Sequence, residues 1–257
     1  RGQAGMPGCP RYEAPLAGDA PKLDGKLDDA VWRRAEPAKL REAWEGPLQA
    51  HRAALAGKEP NVPEAPTEVR IAHDRQYCYF AIRCNAPNQR SGQVVISLDP
   101  HGRFSEYYQF RIDAKGTVRS LHAPLWRQDP TWNADVRTAT QQGENHWTAE
   151  VAIPWSDLKV SPKPGPQVRF QVAHHRAGAH SQFPVTSFPG TRSLGKYPEG
   201  DSVTDFYTYG YADLGEAKIL DNGCSTGSPW GAPCMDAINT YYGRPDTPVG
   251  TLTGKDR

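Results

Sequence analysis

Between Thr67 and His174 this chain runs through short segments that alternate apolar with polar residues, with turn signals between them and no long helical pattern. That rhythm leaves few folds open. Alternation at period two makes each segment a strand with one face turned to a core. Connections too short for a crossover helix make successive strands antiparallel. Thr67-Glu-Val-Arg-Ile-Ala-His73 is the clearest case, and His73-Asp-Arg-Gln76 turns the chain into the mostly apolar run Tyr77 to Cys84. Gln93 to Asp99 stops at Pro100, which has no N–H to give a ladder. Glu106 to Asp113 puts Tyr108, Phe110 and Ile112 on one face and Tyr107, Gln109 and Arg111 on the other. Ala114-Lys-Gly116 turns into Thr117 to Leu121. Asp135 to Thr140, His146 to Ile153, Gln167 to His174 and a tyrosine-rich Phe206 to Leu214 extend the series. Strands at this density predict an all-β fold, an antiparallel two-sheet β-sandwich with irregular N- and C-terminal extensions.

Three regions follow from composition. Residues 1–15 read as an N-terminal arm, residues 16–216 as the sandwich domain, and residues 217–257 as an irregular Gly/Pro-rich C-terminal extension. Within the domain, Asp28 is placed to cap a short helix over Asp29 to Ala35 that turns Trp32 toward the core. Residues 36–65 read as a loop or helical insertion, because Leu40, Trp44, Leu48 and His51 recur near helical spacing before Pro60, Pro63 and Pro66. Trp32, Trp147 and Trp155 are expected in the core. No internal repeat is visible.

Charge and hydropathy exclude several partners. A formal net charge of +1 gives no electrostatic case for nucleic acid or an acidic membrane. The longest apolar run, Tyr77 to Ile82, is far short of the ~20 residues that cross a bilayer. The chain starts at Arg1, which reads as a processed form whose signal peptide has been removed, and so as an extracytoplasmic protein, periplasmic or secreted. Cys224 and Cys234 stand close together in a segment with little else to hold it, and a disulfide between them is expected. Cys78 and Cys84 share one predicted strand at about 20 Å, too far to bond each other. Cys84 has two open fates, a bond to Cys9 or a buried free thiol.

Two further stretches carry a resemblance. The first is Pro21-Lys-Leu-Asp24-Gly25-Lys-Leu-Asp28-Asp29-Ala-Val-Trp32, and the second is Trp147-Thr-Ala-Glu150-Val-Ala-Ile-Pro154-Trp155. Between them lie Thr67-Glu-Val-Arg-Ile, Asp74 with Tyr77-Cys-Tyr-Phe, Ile96-Ser-Leu-Asp99-Pro and Tyr108-Gln-Phe-Arg111-Ile-Asp. In this order the pieces resemble the family 9 carbohydrate-binding modules over roughly residues 16–175. The resemblance implies a sandwich without catalytic activity, with sugar held between two tryptophan rings and charged groups on its hydroxyls. Arg111 matches the family's sugar-contacting arginine. The family's acidic contact falls near Val95, and its clamp tryptophans fall near Asn88 to Gly92 and in Phe188 to Tyr209, where this chain has none. Structural calcium is also implied, with Asp24, Asp28, Asp29 and Asp74 offering hard oxygens.

Candidate ligand residues come from a polar loop. Trp126 and Trp132 lie six apart with Arg127 and Asp129 between them, an arrangement suited to stacking a sugar ring and bonding its hydroxyls. Trp126, Trp132, Asp129 and Arg111 form the expected ligand set. The competing reading of the two indoles is as caps on the sandwich edge. His174 and His175 are adjacent on a strand, point to opposite faces and cannot share a metal. No nucleophile elbow, phosphate loop or zinc-protease helix is present in the sequence. Glu150 sits in an alternating strand, where it reads as structural. The expected function is a non-catalytic binding module for a polysaccharide or oligosaccharide. The alternative is a structural accessory subunit of an envelope or membrane complex, docking protein partners through its arms.

Overall fold

A computed structural model describes residues 11–42, 44–45, 62–85, 92–101, 106–124, 128–129, 131–160, 167–176, 185–188, 192–193 and 210–214. Among the described residues the first elements are β1 (Arg11–Glu13), the helix α1 (Ala30–Arg34), and three two-residue strands, β2 (Ala38–Lys39), β3 (Arg41–Glu42) and β4 (Trp44–Glu45). The long strands follow: β5 (Thr67–His73), β6 (Tyr77–Asn85), β7 (Gly92–Asp99), β8 (Glu106–Asp113) and β9 (Val118–Pro124). Next come β10 (Arg137–Gln142), β11 (His146–Pro154) and β12 (Gln167–Arg176). Short strands β13 (Val185–Phe188), β14 (Arg192–Ser193) and β15 (Gly210–Asp213) complete the described chain.

Two sheets form the sandwich. The smaller runs β10-β11-β6-β5-β2, and every pairing in it is antiparallel. The larger runs β1-β15-β12-β7-β8-β9, with β13 and β3 continuing it beside β12. Parallel pairing enters at two places, β1 on β15 and β14 on β4. Arg11–Glu13, assigned to the arm on composition, is thus an edge of the larger sheet. Its Tyr12 is buried, donates to the Glu36 carbonyl at 2.6 Å, and accepts from the Ile71 N–H at 3.1 Å. Burial pushes the Tyr12 phenol up to about 12, so it stays a neutral donor.

The core forms where the two inner faces meet. Ile71, Phe80, Ile82 and Val151 from the smaller sheet pack with Ile96, Tyr108, Phe110, Phe170 and Val172 from the larger. Trp147 and Trp155 join this cluster as the sequence predicts. Cys78 is a buried free thiol, which burial drives far above its ordinary range, and Cys84 is buried in the same strand. Cys9, Cys224 and Cys234 lie outside the described residues.

A third layer covers the outer face of the smaller sheet. Small residues there, Ala72, Ala81 and Ala152, leave room for Val31, Trp32 and Ala35 of the helical segment. The helix begins at Ala30, one residue later than expected. Asp29, not Asp28, is its N-cap residue, in extended backbone and without a side-chain cap bond. Residues 38–45 also depart from expectation. Where described they form extended strands, because β5 and β13 offer unpaired edges and strand pairing there outweighs a weak helical spacing. Leu48 and His51 lie outside the described residues.

Candidate functional site

The two outer faces of the sandwich hold polar groups in different ways. On the smaller sheet Glu150 is fully buried and ties down the covering segment. Its Oε2 accepts the Asp24 N–H at 2.9 Å and the Gly25 N–H at 2.8 Å, and its Oε1 accepts the Trp32 indole N–H at 2.8 Å. Thr148 donates to the Gly25 carbonyl at 2.6 Å. Gly25 has a φ of +81°, and a Cβ there would stand 2.8 Å from the Thr140 carbonyl carbon, so only glycine fits. Burial raises the Glu150 carboxyl above its ordinary range, although three donors oppose the shift. This arrangement is a structural latch. The sequence reading of Glu150 as structural holds, but it missed what the residue grips.

The larger sheet carries the richer set of polar groups on its outer face, and most of that face is buried: Val95, Ser97, Asp99, Tyr107, Gln109, Arg169, Gln171 and Ala173 are each at most 3% exposed. Alternation sends Ile96, Phe110 and Phe170 inward, so Val95, Ser97 and Asp99 of β7, Tyr107, Gln109 and Arg111 of β8, and Arg169, Gln171, Ala173 and His175 of β12 face outward. Register sets them in rows. Asp99 lies opposite Arg169, Ser97 lies between Gln109 and Gln171, and Val95 lies between Arg111 and Ala173. The Arg169 guanidinium bonds Asp99 at 3.0 Å with each side chain 1% exposed. Arg111 Nε donates to Gln109 Oε1 at 2.9 Å, and the Gln109 amide reaches Ser97 Oγ at 3.4 Å. Val95 and Ala173 are buried side by side as a small apolar floor.

His175 completes this face. Its Nε2 is buried and has no hydrogen-bond partner among the described residues. Burial first, and then the nearby Arg111 charge, push its imidazole down to about 4. At neutral pH the ring is uncharged, and Nε2 is one half of a hydrogen bond whose other half is missing. A buried polar atom left so costs about 1–3 kcal/mol. A hydroxyl-rich ligand on this face would remove that cost.

The residues singled out in the sequence do not meet in one place. Arg111 is half-buried on the outer face of β8. Trp132 packs against the inner-face residues Tyr108, Phe110 and His122, with ring centroids at 5.3, 6.1 and 5.7 Å. Arg111 and Trp132 therefore lie on opposite sides of the same sheet, and Trp132 takes the capping role. Beneath it His122 stacks on Tyr108 at 4.4 Å, and both bond Glu106 Oε1, at 2.7 and 3.1 Å. Burial raises the Glu106 carboxyl, but the bonds from His122 and Tyr108 prevail and hold it below its ordinary range. Asp129 Oδ1 accepts from the Thr131 hydroxyl at 2.7 Å and the Thr131 N–H at 2.9 Å, and those two bonds hold its carboxyl low. Its backbone N–H donates to the His122 carbonyl at 2.8 Å. Trp126 and Arg127 lie outside the described residues.

The carboxylates offered for calcium do not gather in one place among the described residues. Asp24 is engaged by the Lys26 N–H at 2.9 Å and by Lys22 at 3.0 Å. Asp74 accepts from the Gln76 and Tyr77 N–H groups at 2.7 Å each and from the Tyr79 hydroxyl at 2.6 Å. Asp28 gives its backbone carbonyl to Arg33. Asp29 Oδ2 is buried without a partner, but no three metal-ligating side chains gather among the described residues. The carboxylates of Asp24 and Asp74 serve turns.

The architecture now has comparisons. No protein-family model matches the chain, and no curated protein does. Solved structures do. A family 9 carbohydrate-binding module from Caldicellulosiruptor kristjanssonii, in complex with cellotriose, aligns with a TM-score of 0.54 at 14% identity, over 82% of this chain and 97% of that one. A family 9 module from the same organism, in complex with glucose, gives 0.53 at 12% identity, over 82% of this chain and 100% of that one. The fold is that of the family 9 carbohydrate-binding modules. A crystal structure of a protein from Bacteroides uniformis that is assigned as carbohydrate-binding aligns at 0.54 and 13% identity, over 79% of this chain and 97% of that one. At such identities the likeness is one of fold.

Proposed function

We propose that this chain is a non-catalytic carbohydrate-binding module that works outside the cytoplasm and takes its sugar on the outer face of the larger sheet. The observation that carries the reading is His175 Nε2, buried without a partner beside Arg111 and the Val95–Ala173 floor. Pyranose rings have apolar C–H faces and polar rims. Arg111 and the neutral His175 imidazole, the half-buried groups at the margin of this otherwise buried face, can bond a rim of hydroxyls. The neighbouring structures with cellotriose and glucose bound support a sugar as the ligand class. No helix among the described residues is long and apolar enough to cross a membrane.

The test is a glycan array followed by titration of Arg111→Ala, His175→Ala and Trp132→Ala against the best binder. Loss of about tenfold or more in the first two, with Trp132→Ala unchanged, supports the outer-face site. Loss confined to Trp132→Ala moves the site to the loop at the sandwich edge. A silent array, joined with copurification of this chain in a stoichiometric protein assembly, replaces the reading with an accessory-subunit role.

A further inference from the structure

We infer that Asp24–Gly25 is a modification site of the covering segment, where aspartate becomes isoaspartate through a succinimide once the Glu150 latch opens.

The sequence supplies the reactive pair. Asp24–Gly25 is the one Asp-Gly step in the chain. Glycine has no Cβ to shield its nitrogen or to restrict the backbone, so an aspartate before it closes on the next peptide more readily than other aspartates do. In that step the Gly25 nitrogen attacks Cγ of Asp24. A nitrogen–carbon bond forms, and the carboxyl hydroxyl leaves with the amide proton as water. Water then adds back to the imide ring. Opening at one carbonyl returns aspartate. Opening at the other leaves isoaspartate, with the main chain running through the side-chain carbons. No oxidant or reductant enters.

The folded chain holds both reacting groups. The Gly25 N–H, whose nitrogen would attack, donates to Glu150 Oε2 at 2.8 Å in a buried bond. The Asp24 N–H donates to the same oxygen at 2.9 Å, so the peptide planes on both sides of Asp24 are tied to one atom. The Gly25 carbonyl accepts from Thr148 at 2.6 Å, and the glycine backbone lies against β10, where a Cβ would stand 2.8 Å from the Thr140 carbonyl carbon. The carboxyl is held as well. Asp24 Oδ1 accepts the Lys26 N–H at 2.9 Å, and Oδ2 meets Lys22 at 3.0 Å. These contacts hold the carboxyl below its ordinary range, in the ionised form that has no hydroxyl to release. An imide has no N–H, so closing the ring in the latched state also takes a donor away from a buried carboxylate.

The same geometry makes the change one-way. Isoaspartate inserts a methylene into the main chain between the two N–H groups that share Oε2. The spacing that fits one oxygen is lost, and the latch that kept the site closed does not re-form.

The test is a timed warm incubation of the full chain near neutral pH, with isoaspartate mapped to residue 24 by peptide mass spectrometry. Mapping separates it from Asn222–Gly223, whose asparagine yields the same product. The native chain is expected to form it about tenfold more slowly, or slower still, than the same chain in concentrated guanidinium chloride. Glu150→Gln and the milder Thr148→Val, which removes only the bond to the Gly25 carbonyl, are expected to raise the native rate severalfold. Phe110→Ala is the control, because it loosens the core without touching the latch, and its native rate should stay near the parent's. Equal rates with and without denaturant overturn the inference. So do latch variants that melt cooperatively yet keep the parent's slow rate. A rise in Phe110→Ala as large as in the latch variants overturns it too, because global unfolding would then be the gate.

Discussion

The outer faces of the two sheets present buried polar groups to opposite ends. On the smaller sheet, Glu150 is saturated by the chain's own Asp24, Gly25 and Trp32 donors, and small alanines around it make room for a covering helix. On the larger sheet, an ion pair and a glutamine row are similarly engaged, but His175 Nε2 is buried with no partner among the described residues. The contrast is between Glu150, which is saturated, and His175, which is not, since orphaned atoms occur on both sides: Asp29 Oδ2 of the covering segment is also buried without a partner among the described residues. A latch satisfies its own hydrogen bonds. A binding face keeps some of them open, at a cost to stability, because a closed network has nothing left to offer a ligand.

The largest effect should come from opening the latch. Trp32→Ala removes a buried indole and a donor to Glu150, and is expected to cost about 3–5 kcal/mol in urea unfolding. A loss under about 1 kcal/mol would show that the covering segment is dispensable. The open face should respond to pH instead. The imidazole of His175 sits near 4 folded against an ordinary 6.5, so below 6.5 the unfolded chain takes up a proton that the folded chain refuses. Stability should therefore fall as pH drops from 6.5 toward 4, by up to about 3 kcal/mol from this residue, and His175→Gln should flatten that slope. His73, also depressed by burial, adds to the fall in the same direction and remains in the variant.

Glu150 should show the reverse sign. Its carboxyl is raised in the fold, so the folded chain holds a proton that the unfolded chain releases just above 4.5. Its contribution is greatest below 4.5 and declines as pH rises through the folded value. Glu150→Gln should abolish that decline and cost about 1–3 kcal/mol, because one acceptor oxygen becomes a donor facing N–H groups. A variant as stable as the parent at pH 7 would mean that the three donors find other partners.

Much of the latch side was legible in the sequence and much of the larger sheet's outer face was not. The strands β5 to β8 and β11 were readable because their alternation is set by one buried face, and a one-residue slip would invert every side chain. Trp147 was readable as core for the same reason, and Trp32 and Trp155 from their large apolar side chains. The outer face of the larger sheet was hidden because its signal is shared across strands. Ser97, Gln109 and Gln171 each look like an ordinary solvated position, and only the register of β7 with β8 and β12 sets them in one row. Alternation around Phe170 and Val172 held a clue, since Arg169 and Gln171 fall on the face of β12 that joins that row. Residues 38–45 misled because a helical spacing of four apolar or aromatic positions also fits edge strands whose partners lie far along the chain.

The smallest effect is the one that best separates the two candidate surfaces. Trp132 is half-buried over Tyr108 and His122, so Trp132→Ala should cost only about 1–2 kcal/mol, through lost ring contacts and partial exposure of the residues beneath. Arg111 lies through the sheet from it, and ligand on the outer face would not touch the indole. Glycan affinity of Trp132→Ala should therefore match the parent, while Arg111→Ala loses affinity and keeps its melting temperature within a few degrees. The reverse pairing, with affinity lost at Trp132 and kept at Arg111, would place the sugar on the edge loop. His175 would then be a strained residue of the fold, with no part in recognition.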